Sequence, residues 1–140
     1  MTACQKCGHD PAATVLRSWT FEIAREVKSL NAHRVNVHGW QAGVYKRERT
    51  AWVTDLGWTA KVERVADATG KRRVTITRVM GKGQRAFDAD NLRGGAKMVV
   101  DAMVLCGMLA DDDAKHAEIH YAQERGAKPA TRFLVEELQT

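Results

Sequence analysis

The sequence predicts an α+β fold in a single domain, and three observations lead there. Apolar and polar residues alternate in four stretches of strand length, apolar residues recur at helical spacing in two others, and the six stretches run in the order β-α-β-α-β-β. At 140 residues, 44% of them hydrophobic, the chain can bury one core with little room for a second. The expected architecture is a small mixed sheet carrying two helices.

Residues 1–18 read as a segment separate from the 19–140 domain. Within it Cys4-Gln5-Lys6-Cys7-Gly8-His9 resembles half of a zinc ribbon or knuckle, two thiolates on a tight turn with an imidazole beside them. A closed site needs a fourth ligand, and Asp10, Cys106, a distant histidine or a partner subunit are the options. The competing reading is a reduced N-terminus with two cysteines by chance. Three cysteines, an odd number with two close together, argue against a disulfide framework.

The first strand begins at Trp19, where Trp19, Phe21 and Ile23 face one way and Thr20, Glu22 and Ala24 the other. A polar, turn-prone stretch over 29–39 follows. The first helix is expected from Tyr45 to Ala66, with Trp52, Leu56, Thr59, Val62 and Val65 on its buried face; Gly57 weakens it. After a turn at Gly70, Val74, Ile76 and Met80 alternate with Thr75, Thr77 and Val79 in a second strand. From Leu92 the period is helical again, with Asp90 or Asn91 as N-cap and Gly107 as stop. Gly94 and Gly95 each lower helix propensity by about 1 kcal/mol, which moves the expected start toward Ala96. Two further alternating runs, around Ile119 and Tyr121 and around Phe133 and Val135, are separated by a Gly126 to Pro129 loop and read as a hairpin.

Lys and Arg outnumber Asp and Glu by 22 to 17, for a formal charge of +5, a modest pointer to a phosphate-rich partner. No apolar run is long enough to span a bilayer and the first residues lack the order of a secretory signal, so a cytoplasmic protein with no membrane partner is expected. Most informative are the acids. Asp88 and Asp90, two apart at the end of an extended segment, point to one face and can share a hard cation. Another group, Asp111-Asp112-Asp113, follows one helix length later. Magnesium takes oxygen ligands and keeps several waters, so two or three carboxylates plus a substrate phosphate suit it. Lys97 is placed to contact the phosphate. The plainer alternative makes Asp88 a turn residue, Asp90 a cap and the triple aspartate a solvated loop.

The string Asp-Ala-Asp-Asn-Leu at 88–92, Lys97 with Asp101-Ala102-Met103, and Gly107 followed by Asp111-Asp112 together resemble the signature of the RusA family of Holliday-junction resolvases, found widely in phages and prophages. The likeness is strong from Asp88 to about Gln123. Asn31 with His33, Arg34 and Asn36 looks like a degenerate form of the family's Pro-Ser-x-Asn segment, without its proline. The resemblance implies a magnesium-dependent endodeoxyribonuclease (manganese as substitute) acting in recombination and repair, with Asp88, Asp90 and Asp112 as the catalytic acids and Lys97 as the helix lysine. About three extra residues, including Gly94 and Gly95, precede Lys97 and put its position in question. The other function considered is a non-catalytic zinc-containing nucleic-acid-binding module.

A helix from Leu92 to Met108 would be about 25 Å long, which holds Asp90 and Asp112 apart. Either the chain folds back after a shorter helix, or the helix lies antiparallel to its copy in a homodimer that shares the metal site. The second option suits a four-way junction, with its near two-fold symmetry and two cuts. Expected phosphate contacts are Lys82 and Arg85 beside the acids, Lys46 and Arg47 on the first helix, and Arg72 and Arg73 at the second strand. The four tryptophans read as core, with Trp40 the exception as a stacking platform.

Overall fold

A computed structural model describes residues 13–29 and 39–139; the side chains of 39–42 are not among those described. The elements are β1 (Val15–Ile23), α1 (Gly39–Val62), β2 (Arg72–Met80), α2 (Ala89–Leu105), β3 (Ala117–Arg125) and β4 (Ala130–Leu138). This is the α+β order expected, and the four strands form one mixed sheet. Among the described residues no helix is long and apolar enough to cross a membrane.

The strand order is β1-β4-β2-β3. β4 runs antiparallel to both β1 and β2, whereas β3 runs parallel to β2. The expected β3–β4 hairpin is therefore wrong: β2 lies between the two strands. Their connection must cross the end of β2, and missing side chains make room. A Cβ on Gly81 would sit 2.7 Å from the Pro129 ring, and one on Gly126 would sit 2.5 Å from Val79 Cγ1. The Gly126 amide donates to the Met80 carbonyl at 2.9 Å, ending β2 under the crossing chain.

One face of the sheet carries the core. Phe21 pairs with Phe133 and Phe133 with Ile76, while Val74 pairs with Val135. These side chains pack with Trp52 and Leu56 of α1 and with Leu92, Ala96, Val99 and Met103 of α2. The Phe21 and Phe133 rings stack at 5.1 Å and Trp52 meets Phe133 edge-on at 6.2 Å.

β1 starts at Val15, so residues 15–18 belong to the sheet and not to a separate segment. A bulge between Val15 and Arg17 breaks the alternation that would have revealed it. α1 begins at Gly39 and stops at Val62, earlier at both ends than expected. Arg64 takes a left-handed φ of 57°, and the Val65 amide donates to the Ala60 carbonyl. That turn brings Val65 into the core while Val62 is left 60% exposed, reversing part of the expected face. Thr50, Thr54 and Thr59 donate their hydroxyls to the carbonyls four residues earlier, which satisfies them within the helix. A Cβ on Gly57 would meet nothing within 4 Å. Gly57→Ala should raise stability by about 1 kcal/mol and the melting temperature by about 3 °C in a thermal melt.

α2 begins at Ala89 with Asp88 as N-cap, well before Ala96. Gly95 is not a flaw in the helix. It lies under the segment after β1, and a Cβ there would fall 1.6 Å from the Lys28 carbonyl oxygen. Close approach of two backbones requires glycine at this position.

Candidate metal and nucleic-acid site

The acids enter α2 from a loop anchored by inward-facing polar side chains of the sheet. Gly83, at φ 84°, makes the turn after β2. Gln84 accepts from the Gly81 amide at 2.8 Å, and Arg125 donates to the Gln84 carbonyl at 3.0 Å. Gln123 of β3 accepts from the Phe87 amide and donates to the Phe87 carbonyl, both at 2.8 Å, as a neighbouring strand would. Arg78 donates to the Arg85 carbonyl and to Gln123 Oε1 at 3.0 Å each, and its guanidinium lies 3.6 Å from the Phe87 ring centre. Burial pulls the Arg78 pKa down, partly offset by Glu26. Arg78 and Gln123 thus position the residue just before Asp88. Spacing offers a signal for both, since they fall on the inward phase of β2 and β3, where a polar residue needs a partner.

Asp88 caps the helix. Its Oδ1 accepts from the Asn91 amide at 2.8 Å and its Oδ2 from the Asn91 side-chain amide at 2.9 Å. Each oxygen keeps a lone pair for a further partner. Asp90, in the first turn, is exposed and has no ion pair among the described residues. Asp90, Arg93, Lys97 and Asp101 follow one another at three- and four-residue steps and form a charged stripe along α2. Lys97 Nζ stands 3.4 Å from Asp101 Oδ1 and 3.7 Å from Asp112 Oδ2. Asp101 chiefly raises the Lys97 pKa, against some desolvation, so the ammonium is charged at neutral pH. The Arg93 guanidinium lies 5.7 Å from the ring centre of Tyr121, whose hydroxyl burial pushes up.

Asp112 reaches Lys97 because the chain reverses after α2. Gly107, at φ 88°, turns it; the Met108 and Leu109 amides donate back to the Met103 carbonyl at 2.9 and 3.2 Å; both side chains enter the core. The helix keeps its 17 residues and the chain still folds back, a combination absent from the two alternatives considered. Lys97 is seven residues from Asp90, about 10 Å along the axis, rather than a full helix length. Asp88, Asp90 and Asp112 nevertheless do not form one tight group. Among the described residues, the three ligand-capable side chains within 4.8 Å of one another are Asp111, Asp113 and His116. His116 Nδ1 lies 2.6 Å from Asp113 Oδ1, and this bond holds the Asp113 carboxyl below the usual range.

Of the basic residues expected to contact DNA, Lys46, Arg47, Lys82 and Arg85 are exposed. Arg72 is not available: its side chain is 0% exposed, donates to Glu137 Oε1 at 3.1 Å and to the Met108 carbonyl at 3.0 Å, and lies 4.9 Å from the Trp19 ring centre. The inward phase of β2 turns it into the core. Arg73, on the other face, pairs with the buried carboxylate of Glu118. Trp58, expected in the core, is 69% exposed. Cys4, Cys7, His9, the Asn31 to Asn36 segment and the Trp40 side chain lie outside the described residues.

No protein-family model matches the chain, and no curated protein matches it.

Proposed function

We propose that the chain is a magnesium-dependent, structure-selective endodeoxyribonuclease, working as a cytoplasmic homodimer on four-way junctions or related branched DNA. The observation that supports this most is the arrangement along α2: the Asp88–Asp90 pair at its N-terminus, with Lys97 farther along the helix and Asp112, from the segment that folds back after it, beside that lysine. The donor set fits the ion chemically, being oxygen only, exposed, and open to the waters magnesium keeps. Asp88 and Asp90 would hold it; Asp112 stands with Lys97 about 10 Å along the helix axis, so the third carboxylate of a shared site would come from the second subunit of the homodimer.

When bound, the ion supplies Lewis acidity and neutralises charge on the phosphoryl oxygens. Asn91 fixes the Asp88 carboxylate, and the Arg78–Gln123 clamp fixes the loop that delivers it. Lys97, protonated and paired on one side by Asp101, offers its remaining protons to a phosphate oxygen. Lys82 and Arg85 bind neighbouring phosphates, which sets position without reading sequence.

Synthetic four-way, flap and linear substrates incubated with magnesium test the proposal. Wild type should cut the branched substrates, and Asp90→Asn should be slower by about 100-fold or more, equivalent to about 2.7 kcal/mol of barrier. Equal rates for the two proteins would sink the assignment of Asp90.

A further inference from the structure

Trp58 leaves a large indole in water at 69% exposure, on a chain whose other described tryptophans are buried or half-buried. The same side chain borders two grooves. One, of about 710 Å³, runs between α1 and the segment after it, with apolar walls from Val53, Ala60 and Val65 and with Lys61 and Arg64 beside them. The other, of about 300 Å³, lies toward the end of β1; its Arg25 is paired with Asp55 at 2.8 Å and Glu22 adds a second acid, so the cations available beside the indole are those of the larger groove. An indole with open space along it and cations nearby matches one ligand chemistry closely. A nucleobase offers a π face to stack, and its phosphate follows within reach of a basic side chain. The larger groove has two cations against one acid, Asp67, so its charge also favours an anion.

We infer that the Trp58 groove binds an unpaired nucleotide of DNA, the base stacked on the indole and the phosphate held by Lys61 and Arg64. This rests on the nuclease reading for the identity of the nucleic acid and deepens it by naming the feature of branched DNA that is recognised. Cys106, just beyond the C-terminal end of α2, lines the groove, while Asp88 and Asp90 stand at the other end of that helix. The separation is about 25 Å, or roughly seven base-pair rises of 3.4 Å. The groove therefore holds an unpaired nucleotide well away from the scissile phosphate.

Binding without magnesium tests this separately from cleavage. Wild type, Trp58→Phe, Trp58→Ala and Lys61→Ala would be titrated with short oligodeoxythymidylate and with duplex of equal length, following tryptophan fluorescence and anisotropy. Wild type should bind the single strand with quenching. Trp58→Ala should weaken binding by about tenfold or more, Trp58→Phe should recover most of it, and Lys61→Ala should reduce the salt slope by about 0.7. Unchanged single-strand affinity in Trp58→Ala would overturn the inference. So would sedimentation showing that Trp58→Ala dissociates a wild-type dimer while leaving oligonucleotide binding intact, since the face would then cover a second copy. Branched-substrate cleavage with magnesium, run in parallel on wild type, distinguishes failure of the groove from failure of the nuclease reading.

Discussion

Gly95→Ala should lower the melting temperature by about 10 °C, although the same change inside a helix ordinarily stabilises by about 1 kcal/mol. The sign reverses because the added methyl would fall 1.6 Å from the Lys28 carbonyl oxygen. That neighbour is backbone and cannot rotate away as a side chain would, so either α2 or the 24–29 segment must shift. Overpacking of this kind costs about 3 kcal/mol. Because α2 carries the candidate acids at its start, the shift should also reduce cleavage. Parallel melts of Gly95→Ala and Gly57→Ala by circular dichroism make the comparison internal, since the two changes are chemically identical and predicted to act in opposite directions. A Gly95→Ala melt at or above wild type would show that the two backbones separate at little cost.

Glu137→Ala should cost about 3 kcal/mol, an effect set by the residue left behind. Arg72 is fully buried, and Glu137 is its carboxylate partner; removal strands a guanidinium in the core, where its Nε already lacks a partner. Arg17→Ala removes the other cation on Glu137, but that side chain is half exposed and the loss should be about 0.5 kcal/mol. The same pair makes stability depend on acid. The hydrogen bond from Arg17, then that from Arg72, holds the Glu137 pKa below its ordinary value. A depressed folded-state pKa means the stabilisation is complete above the ordinary glutamate value of about 4.3 and is lost as pH falls through the lower folded value. Urea titrations should show wild type losing stability across that window, whereas Glu137→Gln, already lacking the carboxylate, loses less there. Parallel pH profiles for the two would remove Glu137 as the cause.

Periodicity made most of the core legible in the sequence, because Phe21, Ile23, Val74, Ile76, Phe133 and Val135 alternate with period two and the α2 residues recur with helical period. What it concealed was long-range. A strand inserted between β3 and β4 leaves the local pattern of both unchanged, so their separation cannot be read from alternation. Gly95 counted against the helix because propensity describes a helix in isolation, whereas its reason is a crossing segment some 65 positions away in sequence. Arg72 looked like a phosphate ligand because charge usually lies outside; the alternation that buries it was present, but a cation on the inward phase reads as an exception until its carboxylate partner, 65 residues later, is in place. The candidate acids were visible as a motif. The loop anchor made by Arg78 and Gln123, and the reversal that brings Asp112 to Lys97, were not, since each joins residues distant in sequence.

The placement of β4 between β1 and β2 has a bearing on biosynthesis. During vectorial translation β1, α1, β2, α2 and β3 all leave the ribosome before residues 130–138 exist as free chain, yet neither face of the gap between β1 and β2 can be closed by anything made earlier. The nascent protein therefore holds Phe21 and Ile23 with no strand partner, and Val74 and Ile76 with their β3 partners alone, until β4 emerges. Joining of β1 to the β2–β3 pair becomes a late event, and a nascent chain arrested before Ala130 should be far more protease-sensitive than one arrested well past Leu138.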